Sequence, residues 1–142
     1  MKPIRGVLLD LSGVLYVGDA PLAGALEALT RLQASGLPVR YITNTTRSPR
    51  REIHRMLSAM GFRIPEQEIF TAPGAVRAAL ERDGLKPLLL IHPGLAPEFQ
   101  DLVTDTPDAV VLGDAGEAFS YDNLNRAFRL LMDGARLLAL GS

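Results

Sequence analysis

Cysteine is absent from this chain of 142 residues, which excludes disulfides, thiolate metal sites and a thiol nucleophile. An excess of either charge is missing as well. Fifteen Lys and Arg stand against sixteen Asp and Glu, a net charge of −1, so bulk electrostatics ask neither for nucleic acid nor for an anionic membrane surface. No apolar run approaches the roughly 20 residues that a membrane span needs. Repeats and low-complexity segments are also lacking. The opening Met1-Lys2-Pro3-Ile4-Arg5 has the charge of a signal-peptide start, but Asp10 interrupts the apolar stretch behind it and no small-residue cleavage pattern follows. Together these features predict a cytoplasmic protein with no nucleic-acid or membrane partner. What is present, 47% hydrophobic and 22% charged residues, suits a globular chain with a real core rather than a disordered one.

Val7-Leu8-Leu9 is a short apolar run that meets a carboxylate at Asp10 and breaks at Gly13, the pattern of a buried strand ending in a functional loop. Leu22, Leu26, Leu29 and Leu32 recur at helical spacing, and Gly36 followed by Pro38 supplies a stop, so 23–35 reads as a helix. Residues 39–43 read as the next strand. Strand, helix, strand in one short unit normally makes a crossover in a parallel sheet, with Asp10 and Thr43 ending neighbouring strands. Ser48 and Pro49 can start a helix whose buried stripe is Ile53, Met56, Leu57 and Met60 and which Gly61 ends. Further on, a helix is expected from Thr71 through Asp83 and a strand over 88–91. The strand stops at His92-Pro93-Gly94, which reads as a turn with room for a linker. Val110-Val111-Leu112 is another strand, 121–132 a helix with Leu124, Phe128 and Leu131 on one face, and 137–140 a last strand.

In open parallel sheets the ligand site lies beyond the carboxyl ends of the strands, and two polar motifs fall there. In Asp10-Leu11-Ser12-Gly13-Val14-Leu15, a carboxylate at a strand tip before a turn-forming glycine can hold a hard cation and attack phosphorus. In Thr43-Asn44-Thr45-Thr46, hydroxyl, amide and exposed N–H groups can hold phosphate oxygens, with Arg47 beside them to add charge. By itself, an Asp after an apolar run is more often a turn or cap residue, and Thr-Asn-Thr-Thr is a common loop composition. The two motifs gain meaning from their order and register.

At these residues the sequence resembles the haloacid dehalogenase superfamily, whose first motif is Asp-x-Asp-Gly-(Val/Thr)-(Leu/Val) on the first strand and whose second is a Thr or Ser ending the next. It is most similar to the capped subgroup IIA, in which a large α/β cap follows the second motif, and in particular to a branch of that subgroup that also carries Ser where Ser12 stands. Gly113 to Phe128 resembles the strand-to-helix segment of that cap. The resemblance implies a three-layer Rossmann-like parallel sheet core with an inserted α/β cap. Residues 1–70 would be the N-terminal part of the core and 71–142 an incomplete cap, with the C-terminal part absent. It also implies a Mg²⁺-dependent phosphatase working through an aspartyl phosphate, with a small phosphorylated substrate and a homodimer formed through the cap. Asp10 would be nucleophile and metal ligand, and the Ser12 backbone carbonyl a second ligand. Thr43, Asn44 and Thr45, with the backbone amides of Leu11 and Ser12, would bind the phosphoryl group.

The family's neutralising Lys and its late acidic pair would lie beyond Ser142. One carboxylate with one carbonyl holds Mg²⁺ weakly, so this stretch alone is expected to be nearly inactive. Serine at position 12 replaces the residue that acts as general acid and base, so good leaving groups, pyrophosphate or P–N bonds, are expected to outrun alkyl phosphates. Other residues carry plainer readings. His54 and the Arg47, Arg50, Arg51, Arg55 stretch read as solvated surface, and His92 as a turn. Asp114 and Glu117 read as a structural loop despite their metal-like composition. Phe119, Tyr121 and Phe128 read as cap core or dimer contact. A non-catalytic binding protein of the same fold and a receiver-like domain are the rival expectations.

Overall fold

The structure, a computed structural model, describes residues 3–141. Met1 and Lys2, the first residues of the charged chain start, and Ser142, the last of the expected cap, lie outside the described residues. The chain divides into two compact units, one built from the residues up to Thr43 with Arg50–Thr71, the other from Asn44–Pro49 with the residues from Ala72 onward.

In the first unit β1 (Val7–Asp10) leads through the short antiparallel pair β2 (Tyr16–Val17) and β3 (Ala20–Pro21) into α1 (Ala25–Ala34). Then follow β4 (Val39–Thr43), α2 (Arg50–Ala59) and β5 (Ile69–Thr71). The parallel sheet has the order β1-β4-β5. One core forms from alternate strand residues Val39, Tyr41 and Ile69, which meet Ala25 and Leu29 of α1 and Ile53 and Leu57 of α2. Period-two strands facing period-3.6 helices make this a helix-on-sheet core, in which burial of apolar area supplies the main driving force. Tyr41 is fully buried, and its hydroxyl accepts from Gln33 Nε2 at 2.9 Å, which removes the cost of an unpaired phenol. The opposite sheet face, with Leu8, Ile42 and Phe70, is exposed.

The second unit contains α3 (Ala72–Asp83), β6 (Pro87–Leu90), α4 (Ala96–Phe99), β7 (Ala109–Leu112), α5 (Tyr121–Met132) and β8 (Arg136–Ala139). Its sheet is parallel in the order β6-β7-β8. Both faces are covered: Ala109 and Val111 of β7 pack in the cluster of Leu80, Leu95 and Phe99, whereas Val110 packs in the cluster that holds Ala127 of α5. A strand covered on both sides reads as a continuous apolar run, as Ala109-Val110-Val111 does. The α/β class with parallel sheets is therefore as expected. His92-Pro93-Gly94 is not a linker. It opens a short 3-10 turn inside the second unit, capped by His92 Nδ1, which accepts from the Gly94 N–H at 3.1 Å. Nor do Phe119, Tyr121 and Phe128 belong to a core, because all three are exposed while Ala127 is the buried residue of α5.

Arg77 ties α3 to the end of α4. It donates to both oxygens of Asp101 at 2.7 Å, to the Glu98 carbonyl, and pairs with Glu81 at 2.8 Å. Hydrogen bonding from Arg77 holds the Asp101 carboxyl down at about 2, and bonds from Arg82 and Arg136 do the same for Asp83, also to about 2. Depressed carboxyl values stabilise the folded chain above their ordinary value near 3.8, and that contribution disappears as the pH falls toward 2. Urea midpoints should therefore be flat near neutrality and drop between about pH 4 and 2, with a shallower drop in Asp101→Asn. An Asp101→Asn profile parallel to wild type would remove this pair from the acid response.

Candidate active site

The sheet register pairs Asp10 with Ile42, which puts Thr43 one residue further along at the same carboxyl edge. On β5, Thr43 lies opposite Thr71. Strand alternation sets Asp10 on the exposed face with Leu8 and Ile42, and Thr43 on the face of Tyr41 at the rim.

The loop after Asp10 is held from below by the core. Leu11 is fully buried and Leu15 nearly so, and the Leu11 carbonyl accepts from the Leu15 N–H at 2.9 Å. Gly13 turns the chain at φ +80° and its N–H donates to the Tyr16 carbonyl at 2.8 Å. A side chain there would meet nothing within 4 Å, so glycine is required by the backbone angle and not by space. The result leaves Asp10 and Ser12 exposed at the strand tip. Asp10 Oδ1 accepts the Leu11 N–H at 2.8 Å, which orients the carboxylate and leaves Oδ2 outside that bond. Tyr16 is a neighbour that linear reading did not single out. Burial first, and then the Asp10 charge, push its phenol above the ordinary value, so it stays protonated beside the carboxylate. Its signal in the sequence was only the return of the chain after the Gly13 turn.

Hard oxygen donors suit a magnesium ion. Asp10 Oδ2 and the Ser12 carbonyl, which the loop-closing bonds from Gly13 and Leu15 bypass, are of that type. Among the described residues, no group of three or more His, Cys, Asp or Glu could hold a metal ion. Of the acids with a metal-like composition, Asp114 is paired with Arg47 and Glu117 is exposed.

Of the second motif, Thr43 ends β4, while Asn44 and Thr45 fall in the segment that packs with the second unit. Within that unit Asn44 and Thr46 line a cavity of about 510 Å³ with Leu112, Gly113, Asp114 and Phe119. Leu112 is the last residue of β7, so this cavity lies at the carboxyl edge of the second parallel sheet, where ligand sites of such sheets occur. The basic stretch is not a single free face. Arg47 pairs with Asp114 and Arg50 lies 3.8 Å from Glu66. Arg51 and Arg55 are exposed, and His54 is half-buried.

Parallel α/β sheets with an acid-bearing turn at a strand tip define the class: an open-sheet α/β protein whose chemistry sits at the carboxyl edge. The chain belongs to the haloacid dehalogenase-like hydrolase family, whose model matches residues 7–103. Over 139 residues it is 44% identical to the haloacid dehalogenase-like hydrolase domain-containing protein 2 of Homo sapiens, covering 98% of this chain and 54% of that protein. Over 137 residues it is 48% identical to the phospholysine phosphohistidine inorganic pyrophosphate phosphatase of Rattus norvegicus, covering 94% and 51%. The crystal structure of a 4-nitrophenylphosphatase from Thermotoga maritima superposes with a TM-score of 0.82 at 29% identity, over 96% of this chain and 54% of that one. The chain spans about half the length of the relatives it matches.

Proposed function

We propose that this chain is the N-terminal part of a Mg²⁺-dependent phosphatase that acts on a small phosphorylated compound, on pyrophosphate or on a P–N bond. In this reading residues 1–70 are part of the hydrolase core and residues 71–142 belong to an α/β cap. The observation that carries it is the exposed Asp10 carboxylate at the tip of β1, in register beside the strand that ends at Thr43. An oxygen of Asp10 attacks phosphorus, the leaving group departs with its bonding electrons, and water then cleaves the aspartyl phosphate to regenerate the carboxylate. The backbone amide of Ser12, with Thr43, Asn44 and Thr45, holds the phosphoryl oxygens, joined by the Leu11 amide once it exchanges Asp10 Oδ1 for a phosphoryl oxygen. Asp10 and the Ser12 carbonyl would hold Mg²⁺, which when bound neutralises charge on the transferring group. Membership of the hydrolase family and 48% identity to a named phosphatase support the reading.

Ser12 has no side-chain acid to protonate a departing alkoxide, so leaving groups that need no proton are favoured. The partners that follow are a small phosphorylated substrate and a second copy of the protein docked through the cap, where Tyr121 and Phe128 are exposed. No helix among the described residues is long and apolar enough to cross a membrane, and a cytoplasmic location fits a chain without cysteine. A second reading, a non-catalytic binding protein of the same fold, draws on Ser12, which stands where the family's general acid and base would be. Phosphate release by the full-length protein carrying this chain decides between them, assayed on pyrophosphate, a phosphoramidate and an alkyl monophosphate with and without a chelator. Metal-dependent release is expected, faster by about tenfold or more for the first two. Faster alkyl ester cleavage rejects the role given to Ser12, and no release from any substrate rejects the enzyme.

A further inference from the structure

The segment Asn44–Pro49 leaves β4 and returns to α2, both in the first unit, yet it packs with the second. Arg47 fastens it there twice. Its Nε and Nη2 both donate to Asp114 Oδ2, at 2.7 and 2.6 Å. Its backbone carbonyl lies so close to Gly94 that an alanine Cβ at that position would come within 2.8 Å of the oxygen. Gly94 in turn is pinned by its N–H to His92 Nδ1. The fastened segment is the one that carries Asn44 and Thr45.

We propose that Asp114 is a positioning residue: through Arg47 it sets the placement of Asn44 and Thr45, and so couples the second unit to phosphate binding. The proposal rests on the phosphate-binding role given to those two residues above. Its physical basis is chain entropy, because a loop that must present two polar side chains to one anion binds more tightly when it is held in place beforehand. Three and two positions separate Arg47 from Asn44 and Thr45, close enough for an anchor on the guanidinium to limit their backbone excursions. Asp114 touches no reacting atom in this scheme. Gly94 acts in the same direction by allowing the close approach of the Arg47 carbonyl.

Exposure sets the magnitude. The Arg47 side chain is 67% and that of Asp114 38% exposed, so the pair has the modest strength of a solvated ion pair, and its loss should weaken phosphate binding about threefold to fivefold. In the full-length protein, Asp114→Asn and Asp114→Ala should raise KM and the inhibition constant of inorganic phosphate by that factor. The kcat should stay within about twofold, since the chemistry at Asp10 is untouched. High salt should weaken binding in wild type more than in Asp114→Ala, because only wild type has this ion pair to screen. The double variant Arg47→Asp with Asp114→Arg should recover part of the loss. Gly94→Ala, which displaces the segment sterically, should raise the phosphate inhibition constant at least as far. An unchanged phosphate constant in Asp114→Ala, or one whose gap from wild type is insensitive to salt, overturns the proposal, even if melting temperature falls. If phosphate release also persists in Asp10→Asn, the error lies in the underlying phosphatase reading rather than in the role of Asp114.

Discussion

Asp10→Asn in the full-length protein is expected to lower phosphate release about a thousandfold or more, as removal of a nucleophile does in enzymes whose catalytic groups act as a unit. The amide has nearly the shape of the carboxylate and its oxygen can still accept the Leu11 N–H that Asp10 Oδ1 accepts at 2.8 Å. The turn should therefore keep its form, while the amide oxygen is a poor nucleophile and a weaker ligand for a cation. Because Asp10 is exposed at the strand tip and the amide keeps its hydrogen bond to the Leu11 N–H, the melting temperature should move by no more than about 2 °C. Steady-state release of phosphate and a thermal melt of the same sample test both halves. Activity within tenfold of wild type would place the nucleophile elsewhere.

Phe99→Ala should cost the second unit about 3–5 kcal/mol, the range for emptying a fully buried aromatic site. Phe99 is 0% exposed and packs in the cluster of Leu80, Leu95 and Val111. It sits on α4, a helix of four residues that is too short to hold itself together without its tertiary contacts. The first unit has a separate core around Tyr41 and Leu57, so hydrogen-exchange protection should fall along β7 and remain along β4. Phe70→Ala is the contrast, since Phe70 is 53% exposed and its loss opens no cavity. Equal loss of protection in the two units would mean that their cores are not separate.

How much of this was legible beforehand depended on whether the signal was local. The first loop was, because an apolar run, a carboxylate and a glycine are consecutive, and the structure keeps them as strand, tip and a φ of +80°. Helix α5 ran from Tyr121 to Met132 as expected because Ser120 caps it, accepting from the Asn123 N–H at 3.3 Å. Helix α1 came out shorter at both ends than the apolar spacing suggested, since Gly24 takes a left-handed conformation at its start. Strand β5 and helix α4 went unread, being three and four residues long, too short for a period to show.

The residue order alone determined the strand tips, the acid at position 10, the polar run from Thr43 and the alternation of strands with helices, because each is a property of neighbours along the chain. Tertiary structure alone decided that Asn44–Pro49 packs with the second unit, that Arg47 finds Asp114 across 67 positions, and that the apolar Tyr121, Phe128 and Met132 of α5 face outward. A helical stripe states that one side is apolar and not what covers it, and an ion pair between distant residues leaves no periodic mark. Both depend on which surfaces the folded chain brings together, a choice made by the whole core at once.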